Sequence, residues 1–191
     1  MYTKARIAGH PLHPMLIAFP VALYVATVVS LIVHVSTHDI FWYRAALWTN
    51  VAGVVMAAVA AVPGLIDLLG LPRRSRPRST GIRHAAFNVL SLALFTTSAV
   101  LLWRNAGHSF NPANGPYELN VTAPLALGIL GVLSTIAAGW LGWTLVQTHH
   151  VGVKDRFTAG SDTDVEARVD VLDQPRMPAG YQETYRTTIR H

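Results

Sequence analysis

Four long runs without charge constrain this chain more than any other feature: Pro14 to Val33, Ala45 to Leu71, Ala85 to Trp103 and Val121 to Val146, the second broken only by Asp67. Of 191 residues, 51% are hydrophobic and 13% charged, and the charges gather into short blocks between these runs. A soluble domain would interleave charge along each amphipathic element. Each run instead matches the roughly 20 residues that a helix needs to cross a hydrocarbon core. In lipid an open segment can satisfy its backbone only as a helix. The sequence therefore predicts an all-α, integral membrane four-helix bundle, with spans at about 14–34, 45–71, 82–103 and 121–146 and a polar C-terminal tail.

A cleavable signal peptide is the rival reading of the first run, since Lys4 and Arg6 precede it. The run is too long for one and lacks a small-residue cleavage pattern. With four spans, both termini and the 72–83 loop share one side, which holds 13 of the 15 Lys and Arg and leaves only Arg44 and Arg104 opposite. The positive-inside rule puts that side, with both termini, in the cytoplasm. The pI near 10 is then a property of topology. Arg73, Arg74, Arg76 and Arg78 suit anionic lipid and do not advertise nucleic acid. With no cysteine, disulfides, thiolate catalysis, Cys-ligated clusters and covalent c-type haem are excluded.

Residues 1–13 read as a cytoplasmic lead-in and 147–191 as a cytoplasmic tail, extended or docked on a partner. Trp42 and Tyr43 in the first outer loop suit an interfacial belt. Gly53, Ala57 and Ala61 recur every four residues in the second span, as do Ala138 and Gly142 in the fourth, and such small residues let helices approach closely.

Polar groups at bundle depth are costly and need a reason. Four separate pieces of chain bring them to the cytoplasmic end: His10 and His13, Asp67, His84 with Asn88, and His149 with His150. His34, His38 and His108 form a weaker outer set. In the segment His-Pro-Leu-His-Pro the prolines stiffen the chain, so that His10 and His13 face one side and a helix starts at Pro14 with His13 at its cap. Pro63-Gly64 is a place for the second span to bend ahead of Asp67. Three chemistries fit such a set. Haem b asks for two imidazoles from different helices, with Arg73, Arg74 and Arg83 near its propionates. A Zn, Fe or Cu site would use His10, His13, Asp67 and His84. A proton or quinone site would use Asp67 and His84. The plain alternative is that these residues cap helices and meet lipid head groups.

The run from Gly9 through His-Pro-Leu-His-Pro to Leu23, then Ala61-Val-Pro-Gly-Leu-Ile-Asp67, His84 with Asn88, and Gly139-Trp-Leu-Gly142 through Val153 resembles the bacterial DUF2231 membrane proteins. The resemblance covers roughly residues 6–154 and leaves the tail outside. It implies a multi-span protein of a bacterial inner membrane, in the company of membrane redox complexes. That favours electron transfer through haem b, with His13 and His84 as axial ligands, His10 as the competing ligand and Asp67 and Asn88 as their supporting partners. The expected role is an electron-transfer or accessory subunit, or a non-catalytic assembly subunit, rather than a stand-alone enzyme. No nucleophile, phosphate-loop or paired-carboxylate motif is visible in the sequence, which makes hydrolase and nucleotide readings poor.

Overall fold

The computed structural model describes residues 4–8, 10–109 and 119–152. An antiparallel hairpin opens the chain: β1 (Arg6–Ile7) pairs with β2 (His10–Pro11), Arg6 opposite Pro11 and Ile7 opposite His10. Then follow α1 (Leu12–Leu16), α2 (Ala18–Thr37), α3 (Ile40–Gly70), α4 (Arg76–Ser109) and α5 (Thr122–Gln147). Among the described residues, four helical stretches are long and apolar enough to cross a membrane: Leu12–Thr37, Ile40–Gly70, Arg76–Ala106 and Thr122–Gln147. The predicted four-span, all-α architecture is the one observed. The tail from residue 153 onward and residues 110–118 lie outside the described residues.

Boundaries differ from expectation for identifiable reasons. The first helix begins at Leu12, so His13 lies in its first turn rather than at its cap, and Pro11 supplies the extended cap (φ −69°, ψ 128°). Proline prefers that extended geometry. Helices α3 and α4 have 31 and 34 residues. At 1.5 Å per residue they are about 45 to 50 Å long, well beyond a core of about 30 Å. The loop expected at 72–83 is accordingly short. Arg76, Arg78 and Arg83 ride on α4, where the Ser75 hydroxyl accepts from the Arg78 amide at 3.3 Å. The Arg78 guanidinium donates to the Leu71 carbonyl at 2.9 Å, closing the end of α3.

Burial runs opposite to that of a soluble protein. Asn50, Thr27 and Ser98 are fully buried, while Trp140 is 76% exposed and Val62, Leu69 and Ile136 exceed 60%. An apolar exterior around a polar interior is what lipid selects, because hydrocarbon offers polar groups no partner. The interior polar groups bond across helices: the Asn50 amide and the Ser98 hydroxyl meet at 3.1 Å, Ser98 donates to the Pro124 carbonyl at 3.1 Å, and Ser134 to the Phe87 carbonyl at 2.8 Å. Tyr43 also belongs to this interior. It is fully buried and donates to the Leu102 carbonyl, so it is a core residue and not part of an interfacial belt. The small-residue stripe is likewise relocated: Gly53 and Ala60 are buried while Ala61 faces outward.

Helix α2 packs chiefly on α3, and α4 on α5; the α3–α4 and α2–α5 contacts close the ring. Across its middle Tyr24 of α2 stacks on Phe95 of α4, ring centres 3.6 Å apart and planes within 2°. The Tyr24 hydroxyl is buried without a hydrogen-bond partner among the described residues. An orphan of this kind costs about 1–3 kcal/mol. Tyr24→Phe should therefore raise the thermal unfolding midpoint of the detergent-solubilised protein. A lowered midpoint would show the hydroxyl to be engaged.

Candidate functional site

The first turn of α1 and the third turn of α4 bring His13 and His84 together, ring centres 6.0 Å apart and planes perpendicular. Both rings are half-buried. His13 donates from Nδ1 to the Ala60 carbonyl of α3 at 2.8 Å. His84 donates from Nδ1 to the Ala138 carbonyl of α5, also at 2.8 Å. A carbonyl only accepts, so in the neutral form each imidazole carries its proton on Nδ1 and leaves Nε2 with a lone pair.

Two glycines make room for these bonds. A Cβ at Gly64 would stand 2.8 Å from Nδ1 of His13, and one at Gly142 would stand 3.2 Å from Cε1 of His84. Pro63 precedes Gly64 and lies inside α3, where its missing N–H weakens the helical ladder beside the Ala60 carbonyl. Each histidine is thus seated on a helix turn of the form Ala-x-x-x-Gly.

The other expected site residues go to different places. Asn88, one turn beyond His84, places its amide nitrogen 3.1 Å from Nε2 of His84 and 2.9 Å from the His84 carbonyl. Of the two residues expected to support the ligands, this one contacts His84. Asp67 does not orient a histidine: its carboxylate accepts from the backbone amides of Lys4 and Ala5 at 2.8 and 3.0 Å, tying the N-terminal hairpin to α3. His10 is exposed on β2, with Nδ1 3.1 Å from the Ala8 carbonyl. Among the described residues no group of three or more His, Asp or Glu is placed to hold a metal ion. The four-residue set His10, His13, Asp67 and His84 is therefore not assembled; the hairpin diverts His10 and Asp67.

Arg74, Arg78 and Arg83 line a separate cavity of about 330 Å³ with Ser75, Ser79 and Ile82. Arg73 is exposed. His149 meets the Thr80 hydroxyl at 3.3 Å rather than the histidine pair. Of the outer set, His34 is buried at the end of α2, with Nδ1 2.9 Å from the Asp39 carbonyl. His38 closes that helix in a left-handed conformation (φ 56°). The His108 side chain lies outside the described residues. What the sequence reading missed is the seat itself. Ala60 with Gly64 shares its four-residue spacing with Ala138 and Gly142, and only the second of these pairs stood out, because the first sits within a longer run of alanines.

A family model described as "Predicted membrane protein (DUF2231)" matches residues 9–155. The chain belongs to this family. No curated protein and no solved structure matches it.

The seat predicts a contrast among glycine variants. Gly64→Ala must push the His13 ring off the Ala60 carbonyl and lower stability by about 1–3 kcal/mol, the cost of an unmade buried hydrogen bond. Gly139→Ala, where a Cβ meets nothing within 4 Å, should be neutral or mildly stabilising. Thermal unfolding in detergent of the two variants checks this; equal stability would mean that the Gly64 contact carries no energy.

Proposed function

We propose that this DUF2231 protein uses His13 and His84 as axial ligands to a b-type haem and serves as an electron-transfer subunit of a bacterial inner membrane. One observation carries the reading: two half-buried imidazoles from different helices lie with ring centres 6.0 Å apart, each giving Nδ1–H to a backbone carbonyl, so that Nε2 is the nitrogen a ligand would take, directly on His13 and in exchange for the Asn88 contact on His84. Histidines that bind metals habitually donate their other ring N–H in this way, which fixes ring orientation and raises ligand basicity. The two rings, with centres 6.0 Å apart, are near enough for one bound group to be held by both.

The count of donors favours haem over a bare ion. With Asp67 committed to Lys4 and Ala5, two histidines fall short of the three or four protein ligands of a Zn site. Haem brings four nitrogens of its own and asks the protein for two axial ligands. Bound there, the iron would carry one electron at a time. The chain's own residues hold the two rings in the ligating tautomer, shield them within the bundle and supply arginines at the same end of α4 for the propionates. To hold the group, His84 would have to give up the Nε2 contact with Asn88. The excess of Lys and Arg at this end favours a cytoplasmic location for it, and quinone or a membrane redox complex is the partner class that such a subunit would serve.

A second reading has its own observation. Because Asn88 occupies Nε2 of His84, the two imidazoles can act purely as hydrogen-bonding clamps between helices, which in lipid replace hydrophobic association.

Absorption spectra of protein made with ample haem separate the two. The haem reading predicts reduced α and β bands that His13→Ala and His84→Ala each abolish. Bands retained in both variants would remove this ligand choice. A colourless, folded wild type whose stability drops in both variants would establish the clamp.

A further inference from the structure

The contacts around the two histidines repeat with a fixed offset. His13 and His84 are 71 positions apart, and so are Tyr24 and Phe95, Thr27 and Ser98, and Leu31 and Leu102. Ala22 and Leu23 stand against Ala93 and Leu94 at the same offset. In the partner helices the offset is 78: Gly53 and Gly131, Val54 and Val132, Ala60 and Ala138, Gly64 and Gly142. The equivalences hold in space as well as in sequence. Each histidine bonds the equivalent alanine carbonyl at 2.8 Å. A Cβ at Gly53 would meet the Tyr24 ring at 2.8 Å, and one at Gly131 would meet the Phe95 ring at 2.5 Å. Where equivalent residues touch directly, as in the His13–His84 and Tyr24–Phe95 pairs, they do so across the bundle.

We propose that the bundle is two fused copies of one helical hairpin, α1–α2–α3 and α4–α5, and that Asn88 is the change that makes their shared histidine layer unequal. Helices α2 and α4 cross in the same direction, as copies related by an axis along the bundle must. Copies so related start with chemically equivalent histidines. At the place of Asn88 the first copy has Ile17, 71 positions earlier, which gives His13 no such donor. Asn88 donates to Nε2 of His84, whereas Nε2 of His13 has no hydrogen-bond partner among the described residues. The pair is thus divided into an open imidazole, His13, and a capped one, His84. Asn88 is a positioning residue: it selects His13 as the nitrogen that meets an incoming electrophile or metal first. The inference deepens the histidine-site reading and rests on its geometry, not on any cofactor.

The test is therefore made without haem. Full-length protein in detergent is labelled with limiting diethyl pyrocarbonate, which acylates neutral imidazole nitrogen, and the rate at each histidine is read by peptide mass spectrometry. Both rings are half-buried, and comparing the same ring with and without Asn88 isolates what that residue contributes. His13 should react faster than His84 in the wild type. Asn88→Ile, which installs the residue of the first copy at a lipid-exposed position, should raise the His84 rate about fivefold, the factor set by losing one neutral hydrogen bond, and leave His13 unchanged. The reciprocal Ile17→Asn should slow His13 by a similar factor. Equal wild-type rates, or an Asn88→Ile variant in which His84 stays slow, would overturn the proposal. A colourless wild type that still shows the predicted rates would sink the haem reading and leave this one standing.

Discussion

Hydrocarbon offers a polar side chain no hydrogen bond, and every feature of this bundle follows from how its few polar groups find partners inside. The helices present Val, Leu, Ile and Trp outward and turn Thr, Ser, Asn and His inward. Apolar attraction between helices is weak in lipid because the tails are as apolar as the side chains, so packing on small residues and interhelical hydrogen bonds must hold the helices together. Two sites do both at once. At His13 and His84 a glycine admits the ring, a nearby carbonyl accepts its proton, and the two hairpins meet at that layer.

The same bonds make the site chemically definite. An imidazole free to rotate offers either nitrogen; one tied through Nδ1 offers only Nε2. Helix α3 fixes His13 and α5 fixes His84, each from outside the helix that bears it. The orientation of both rings is thus a property of helix packing, and a glycine variant four residues from the accepting carbonyl can disturb it. Asp67, the one carboxylate within the predicted spans, is used instead to anchor the N-terminal strand pair through the amides of Lys4 and Ala5.

Much of this was legible in the residues. Charge exclusion over four runs identified four helices, because the cost of a charge in lipid leaves a pattern that needs no tertiary information. Convergence of His13, His84 and Asn88 followed from their shared position at helix starts on one side. Helix ends were not legible: α3 and α4 extend past the membrane on residues such as Arg76 and Arg83, which charge exclusion counts as loop. The fate of His10 and Asp67 was also hidden, since a two-residue strand pair and a carboxylate-to-amide contact have no periodic signature. The place of Tyr43 in the core depends on the Leu102 carbonyl 59 residues away. The repeat was present in the sequence all along, but identities at offsets of 71 and 78 become visible only when alternate helices are compared with separate offsets.

Everything functional rests on the nearness of two rings from different halves of the chain. Selective histidine labelling and a nuclear Overhauser spectrum of the full-length protein in micelles measure it most directly. Ring centres 6.0 Å apart and perpendicular predict cross-peaks between the carbon-bound ring protons of His13 and His84, assigned by their loss in His13→Ala and His84→Ala. A well-folded protein whose two imidazoles show no cross-peaks to each other would contradict the paired site, and with it the haem reading built upon it.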